Sequence, residues 1–213
     1  MSDRKIVFVV YYSIYGHVYE MAKAVCTGLE KSGVKAQIFQ FEETLSENVL
    51  QKMKAKTRDE SVPIITADKL VEADGILFGF PTHFGTVPSQ VKNFFDSCED
   101  LWLKSALSNK FVGTFFSSSS IGQGQESTTF TCIPFFVHMG MMYVSIGSKH
   151  RLLQDNSVVH GGSAFGAGCI ALSSKPSCLE LELAEFQGQD FGRIVLSYGK
   201  KIPEKKSKIC NVI

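Results

Sequence analysis

Residues 6–12 read IVFVVYY and lead directly into SIYGH at residues 13–17. The first run is continuously apolar and rich in β-branched and aromatic side chains, which is typical of a strand buried on both faces of a parallel sheet. Beyond it, apolar residues recur at the spacing of one helix face, at Val18, Met21, Ala22, Val25 and Leu29. Gly33 then supplies a stop signal. The opening of the chain therefore predicts a strand, a short turn and a helix.

The same alternation continues along the chain. Further strands are predicted at 34–41, 75–80, 111–116 and 142–146, and helices at about 67–73, from Ser89 onward, at 126–138, and from a Ser177–Glu180 capping box to about Tyr198. This pattern predicts an α/β fold, a five-stranded parallel sheet with right-handed crossovers and helices on both faces. The Gly- and Ser-rich stretch 147–176 is long for a loop, so it is either functional or an error of assignment.

The composition excludes several classes of protein. With 213 residues, 44% hydrophobic and 20% charged, the chain suits one folded domain. Lys and Arg number 22 against 21 Asp and Glu, a balance that does not suggest a nucleic-acid binder. No apolar run approaches the ~20 residues of a membrane span and no secretory signal is visible, so the cytoplasm is expected. The six cysteines form no CxxC pair, which predicts neither a metal site nor a disulfide framework.

Positive charge is concentrated at the end of the chain. Residues 200–213 hold five lysines and one glutamate, net +4, which leaves −3 for residues 1–199. We therefore expect one domain over 1–199 and a flexible polybasic tail over 200–213. The last four residues, Cys210-Asn211-Val212-Ile213, fit a C-a-a-X prenylation pattern, with an unusual Asn at the first aliphatic position. A prenyl group on Cys210 and the lysines would tether the protein to the cytoplasmic face of a membrane; the alternative is a solvated basic tail.

Three loops follow strands and should meet at the carboxyl edge of the sheet, where α/β proteins bind ligands. In 13–17, Ser13 offers a hydroxyl, Gly16 lets the backbone come close, and the following helix N-terminus supplies free N–H groups. This combination binds a phosphate without a cationic side chain; the alternative is a plain turn. It matches neither GxGxxG nor GxxxxGK[ST], which disfavours a dinucleotide or nucleoside triphosphate site.

The other two loops, 81–85 and 117–125, are rich in small and hydroxyl-bearing residues. Such loops leave backbone N–H groups free to donate to a flat heteroaromatic ring. A further cluster of bases, Lys52, Lys54, Lys56 and Arg58, lies in the polar stretch 42–63. It is interpreted as a solvated face, with attraction of an anion as the alternative.

These motifs together resemble the WrbA family of flavodoxin-like NAD(P)H:quinone oxidoreductases. Residues 11–17 look like its flavin phosphate loop, and 78–85 (FGFPTHFG) like its G-x-P-T-R-F-G segment. Further matches follow in the right order, at 101–102, at the serine-rich loop ending at 124–126, at 138–141 and at 161–167. The resemblance covers about residues 5–198. It implies a flavodoxin-like fold, FMN as cofactor, NAD(P)H and quinones as substrates, and a homotetramer with the 82–86 and 147–176 loops near neighbouring subunits.

The resemblance also implies which residues touch the ligands. Those carried over for FMN are Ser13, Ile14, Tyr15, Gly16, His17, Val18, Pro81, Thr82, His83, Phe84, Ser118, Ser119, Ser120, Ile121, Gly122, Gln123 and His138. Tyr15 would also contact the nicotinamide donor, and Trp102 would wall the quinone pocket. The alternatives are a satisfied buried histidine at 138 and a core aromatic at 102. No catalytic residue is assigned, because the flavin carries the redox chemistry.

Two residues depart from the family pattern. His83 stands where the family usually has Arg, so a fixed positive charge is lost, since histidine is mostly neutral at pH 7. Ser120 stands where the family has Gly, and a serine restricts φ. The serine at position 120 therefore affects the contacts that residues 118–123 are expected to make with the flavin.

The resemblance implies two-electron, ping-pong reduction of quinones to hydroquinones, because NAD(P)H and quinone need the same face of the flavin. Two alternatives stay open. One is a one-electron carrier of flavodoxin type, for which the −3 of residues 1–199 is weak support. The other is a membrane-tethered scaffold or interaction protein that kept the fold with little turnover.

Overall fold

The computed structural model describes residues 4–198. Its strands are β1 (Ile6–Tyr11), β2 (Lys35–Gln40), β3 (Gly75–Pro81), β4 (Phe111–Ser118), β5 (Met142–Tyr143) and β6 (Gly168–Ile170). Its helices are α1 (His17–Ser32), α2 (Glu47–Lys52), α3 (Ser89–Asp96), α4 (Glu99–Leu103), α5 (Gln125–His138) and α6 (Cys178–Ser197). Short 3₁₀ turns lie at Asp68–Glu72 and Arg151–Gln154. The tail 200–213, with Cys210, lies outside the described residues.

The strands form one parallel sheet in the order β2-β1-β3-β4-β5, which confirms the predicted alternation. The last position of the sheet is split. β3 occupies one side of β4 over residues 111–117, so β5 and β6 share the other side, against Phe111–Val112 and Phe116–Ser118 respectively. The strand predicted over 142–146 is therefore only two residues long, and β6 lies inside the stretch 147–176, for which the sequence predicts a loop.

The sheet separates two apolar cores. Alternate residues of β1 point to opposite sides, Phe8 and Val10 to one core and Val7 and Val9 to the other, and all four are fully buried. The first core is rich in phenylalanine from β3, α3 and α5, and the second contains the apolar faces of α1 and α6. Burial on both faces explains why the strand sequence is continuously apolar instead of alternating.

α1 and α6 pack in direct backbone contact. A Cβ atom on Gly28 would overlap the carbonyl oxygen of Glu185, and one on Gly188 would overlap that of Val25. Gly192 is likewise pressed against Ser32. Helix propensity alone treats Gly188 and Gly192 as weak points of α6. The structure shows that these glycines permit the close approach of the two helices.

Two buried polar side chains of α6 hold the segment that carries β6. Glu180 is 3% exposed and accepts from the backbone N–H groups of Gly161 and Ile170, at 3.0 and 2.8 Å. Its other oxygen accepts from Ser177 N–H and Oγ, which confirms the predicted capping box. Gln187 accepts from Ala167 N–H and donates to the carbonyl of Thr114 on β4. Most of the long loop is therefore anchored to the fold by α6.

Within residues 4–198, no helix combines the length and the apolar character needed to cross a membrane.

Replacement of Gly188 by Ala shows whether helix propensity or the close packing of α1 and α6 dominates the effect of this residue on stability. Helix propensity predicts a gain of about 1 kcal/mol in the free energy of unfolding. The overlap with Val25 predicts a loss of about 1–3 kcal/mol, because the helices must move apart. Urea denaturation measures the sign. Thr27→Ala, at an exposed site on α1, is the matched control and should change stability by less than about 0.5 kcal/mol; a Gly188→Ala protein more stable than wild type would contradict the packing argument.

Candidate functional site

A cavity of about 690 Å³ opens at the carboxyl edge of the sheet. It brings together the three loops that the sequence places there. Its lining consists of Ser13, Ile14, Tyr15, His17, Val18, Pro81, Thr82, His83, Phe84, Gly85, Ser117, Ser118, Ser119, Gly122, Gln123, Gly124 and Ala171. The volume falls in the range of about 300–1,000 Å³ that is usual for small-molecule sites.

The first loop presents unpaired backbone donors. Gly16 is the N-cap of α1 with a φ of +87°, and no side chain caps the helix. The N–H of Gly16 donates to Ser13 Oγ at 3.1 Å. In the described part of the chain, no acceptor faces the N–H groups of His17 and Val18. Together with the positive end of the helix dipole, these donors form a receptor for an anion such as a phosphate.

The third loop has the same character. Gly124 caps α5 with a φ of +87°, again without a side-chain hydrogen bond. The N–H groups of 119–124 have no acceptor among residues 4–198. Gly122 needs its glycine, with a φ of +73°, whereas Ser120 is not among the residues of positive φ. The serine at position 120 therefore adopts an ordinary backbone conformation, and the restriction that it places on φ costs nothing here.

Gln125 holds this loop in place. Its Nε2 donates to Ser118 Oγ at 2.8 Å and to the carbonyl of Cys169 at 3.0 Å, and its Oε1 accepts from Gly162 N–H at 2.8 Å. The side chain thus joins the end of β4 to β6. Sequence reasoning assigned Gln125 no role. Because two of its partners lie 37 and 44 residues away, no local pattern could have revealed it.

The second loop is a tight hairpin at the mouth of the cavity. His83 and Thr86 exchange backbone hydrogen bonds of 2.8 and 3.0 Å, and Phe84 between them has a φ of +52° and a fully exposed ring. Thr82 Oγ1 accepts from Thr128 Oγ1 of α5 at 2.7 Å. Partial burial lowers the pKa of His83 below its ordinary value. Burial thus favours the neutral imidazole over the charged form, in the same direction as the replacement of the family's arginine by histidine.

Of the expected ligand residues, Gly16, Ser120 and Ile121 do not line the cavity but belong to its first and third loops, whereas Trp102 and His138 lie far from it within one protomer. α5 starts at the cavity and runs 14 residues, about 20 Å at 1.5 Å per residue, to His138 at the opposite edge. Trp102 lies on α4, which precedes the amino-terminal start of β4, and Asn109 bonds to Gly140 there. Both His138 and Trp102 are exposed, so neither is the buried residue of the alternative interpretation. Their roles toward flavin and quinone stay predictions that involve another protomer.

Comparison with known proteins gives a family match and several curated relatives. The family model described as NADPH-dependent FMN reductase matches residues 13–149. P25 protein of Schizosaccharomyces pombe is 44% identical over 200 residues, covering 92% of this chain and 98% of that protein. Quinone-oxidoreductase QR2 of Triphysaria versicolor is 46% identical over 187 residues, covering 85% and 91%. NAD(P)H quinone oxidoreductase PST1 of Candida albicans is 41% identical over 198 residues, covering 92% and 99%.

Solved structures share the fold. The flavodoxin, WrbA-like protein from Agrobacterium tumefaciens aligns with a TM-score of 0.65 at 24% identity, covering 90% of this chain and 98% of that one. A flavodoxin from the domain Archaea aligns with a TM-score of 0.58 at 20% identity, covering 90% and 99%. At these sequence identities the structural similarity shows the fold alone, and it confirms the predicted flavodoxin-like architecture.

Proposed function

We propose how the residues of this chain bind its cofactor and substrates, starting from its family. The chain belongs to the NADPH-dependent FMN reductase family and is an FMN-dependent NAD(P)H:quinone oxidoreductase. The observation that carries the proposal is the cavity at the carboxyl edge, where the N-termini of α1 and α5 leave their first N–H groups unpaired within the described residues.

The residues present fit FMN. Residues 13–18 would hold the phosphate, because they combine free N–H groups, the Ser13 hydroxyl and a glycine that lets the anion approach. The free N–H groups of 119–124 complement the acceptor atoms of a heteroaromatic ring edge. When bound, FMN supplies hydride acceptance from NAD(P)H and two-electron transfer to a quinone.

The protein's own contribution is positioning. Thr82, His83 and Phe84 would line the flavin ring, with Thr82 held by its hydrogen bond to Thr128. Tyr15, half exposed at the rim, would contact the nicotinamide donor, and the exposed ring of Phe84 offers an apolar stacking surface. Since donor and quinone would use the same face, the donor must leave before the quinone enters.

Steady-state kinetics test this function. The full-length protein loaded with FMN should oxidise NADPH with benzoquinone and give parallel double-reciprocal lines. Gly16→Ala should weaken FMN binding about tenfold, because a side chain at a φ of +87° costs about 1–2 kcal/mol and the loop must distort. Gly147→Ala, at a φ of +57° with no atom within 4 Å, is the matched control for backbone strain and should bind FMN like wild type.

Other outcomes would favour the alternatives. Flavin-loaded protein without NADPH turnover would favour a scaffold, and reduction of one-electron acceptors without quinone turnover would favour a flavodoxin-type carrier. A protein that stays colourless on addition of FMN would contradict the proposal as a whole.

The proposal includes a homotetramer in which Trp102 and His138 of one protomer complete the cavity of another. Its support is the apolar surface around them: Trp102, Leu103 and Val137 are 49%, 66% and 66% exposed. Phe130 on α5 and Phe84 at the cavity mouth are also exposed. A subunit interface would cover exposed apolar side chains such as these, and the 82–86 and 147–176 loops would lie near neighbouring subunits.

Trp102→Ala should raise the KM for the quinone about fivefold to tenfold without changing FMN affinity, because an aromatic wall of the pocket is lost. Leu103→Glu should dissociate the assembly, since it places a charge in an apolar contact. Kinetics and sedimentation velocity measure the two effects, and Val71→Ala, at another exposed apolar site, is the control. A fully active monomer would refute the shared cavity.

The proposal also includes a lipid tether at Cys210, which rests on the sequence pattern alone. One prenyl chain binds a membrane reversibly, and each nearby lysine adds about 1 kcal/mol against anionic lipid. Cys210→Ser should therefore move the protein from the membrane to the soluble fraction of a eukaryotic host. Cys178→Ser, at an exposed cysteine on α6, is the control; unchanged fractionation of the Cys210→Ser protein would reject the tether.

A further inference from the structure

Lys56 stands apart from the other bases of the 42–63 stretch by its approach to the phosphate loop. We propose that Lys56 binds the terminal phosphate of FMN as a cationic ligand. This inference rests on the proposed function. It adds a fixed positive charge beside residues 13–18, which include no lysine or arginine.

A sharp turn after α2 brings Lys56 to the loop. Lys54 has a φ of +54°, which reverses the chain behind the helix. The backbone N–H of Lys56 then donates to the carbonyl of Ile14 at 2.8 Å. Because this bond joins the segment to the middle of the phosphate loop, the position of Lys56 is set by the same residues that would hold the anion.

The side chain of Lys56 extends across Gly16. A Cβ atom on Gly16 would lie 2.7 Å from Cδ of Lys56 and 3.0 Å from its Nζ. The aliphatic stem thus covers the bare Cα of the helix cap, and the ammonium group lies beside the first turn of α1. Any side chain at position 16 would compete with Lys56 for this space. Glycine at position 16 therefore allows both the left-handed conformation of the helix cap and the close approach of the Lys56 side chain.

The charge balance at this point favours an anionic ligand. The N-terminus of α1 carries about half a positive charge, so a cation beside it is repelled. No carboxylate within residues 4–198 forms an ion pair with Lys56. Asp59 accepts hydrogen bonds from Tyr19 and Ser61 instead. A phosphate monoester carries about −1.5 to −2 charges at pH 7. Lys56 does not line the 690 Å³ cavity but an adjoining one of about 220 Å³, and Ser13 lines both. A phosphate held at Ser13 would therefore lie between Nζ and the free N–H groups of α1.

Comparison of two flavins tests this assignment, because riboflavin lacks the phosphate. The full-length chain, freed of flavin by dialysis, is titrated with FMN and with riboflavin, and binding is followed by quenching of flavin fluorescence. Lys56→Met should weaken FMN binding roughly 10- to 100-fold, the usual effect of losing a charge-assisted hydrogen bond. Its affinity for riboflavin should be unchanged. The difference between wild type and Lys56→Met should shrink at high salt.

Two further variants serve as controls. Lys56→Arg should restore most of the FMN affinity, and Lys52→Met, at the end of α2, should bind both flavins like wild type. Equal losses for FMN and riboflavin, or a loss no larger than that of Lys52→Met, would overturn the role of Lys56 while leaving FMN binding itself intact. A wild-type protein that binds neither flavin would overturn this inference and the proposed function together. Thermal unfolding of each variant separates loss of binding from loss of folding.

Discussion

A parallel sheet gathers the free backbone donors of this protein at one edge. In a parallel sheet each crossover leaves from the carboxyl end of a strand, so the N-termini of α1, which follows β1, and of α5, which follows β4, both open on the carboxyl edge. Each begins at a glycine with a φ of +87° and lacks a side-chain cap. Their first N–H groups have no acceptor in the described residues, and a flavin offers a phosphate at one end and ring acceptors at the other. In the proposed function these donors would bind and orient the cofactor, which itself supplies the redox chemistry.

The cavity depends on α6, although α6 contributes no residue to its lining. Gly188 and Gly28 let α6 lie directly against α1, so the position of α1, the helix that follows the first loop, is set by backbone contact as well as by side-chain packing. Glu180 and Gln187 hold the β6 segment to the sheet, and Gln125 continues this network to the third loop. Because protein interiors are closely packed, these contacts fix the positions of the loops that line the cavity.

Sequence reasoning located the three loops that line the cavity, since these depend on local residues next to strand ends. The structure adds a lowered pKa for His83 and an ordinary φ for Ser120, while the contacts of both residues with the flavin stay predictions. The roles of Gln125 and Lys56 lay beyond sequence reasoning, because each acts on residues far away in the chain. Trp102 and His138 show a further limit: the sequence predicts ligand contacts for both, whereas within one protomer both are exposed and distant from the cavity.

The order of strands and helices was determined by the sequence itself, because hydrophobic periodicity and glycine stop signals act over a few residues. The family resemblance was likewise carried by short motifs. Only the tertiary structure decided that the last sheet position is shared by β5 and β6, since a strand of three residues has no periodicity to read and exists only through its pairing with β4. Only the tertiary structure shows that Gly188 permits close contact between α6 and α1, although helix propensity predicts that this glycine destabilises α6. It also shows that Lys56 reaches Gly16. Both depend on distances between residues remote in the chain, which are set when the whole fold packs.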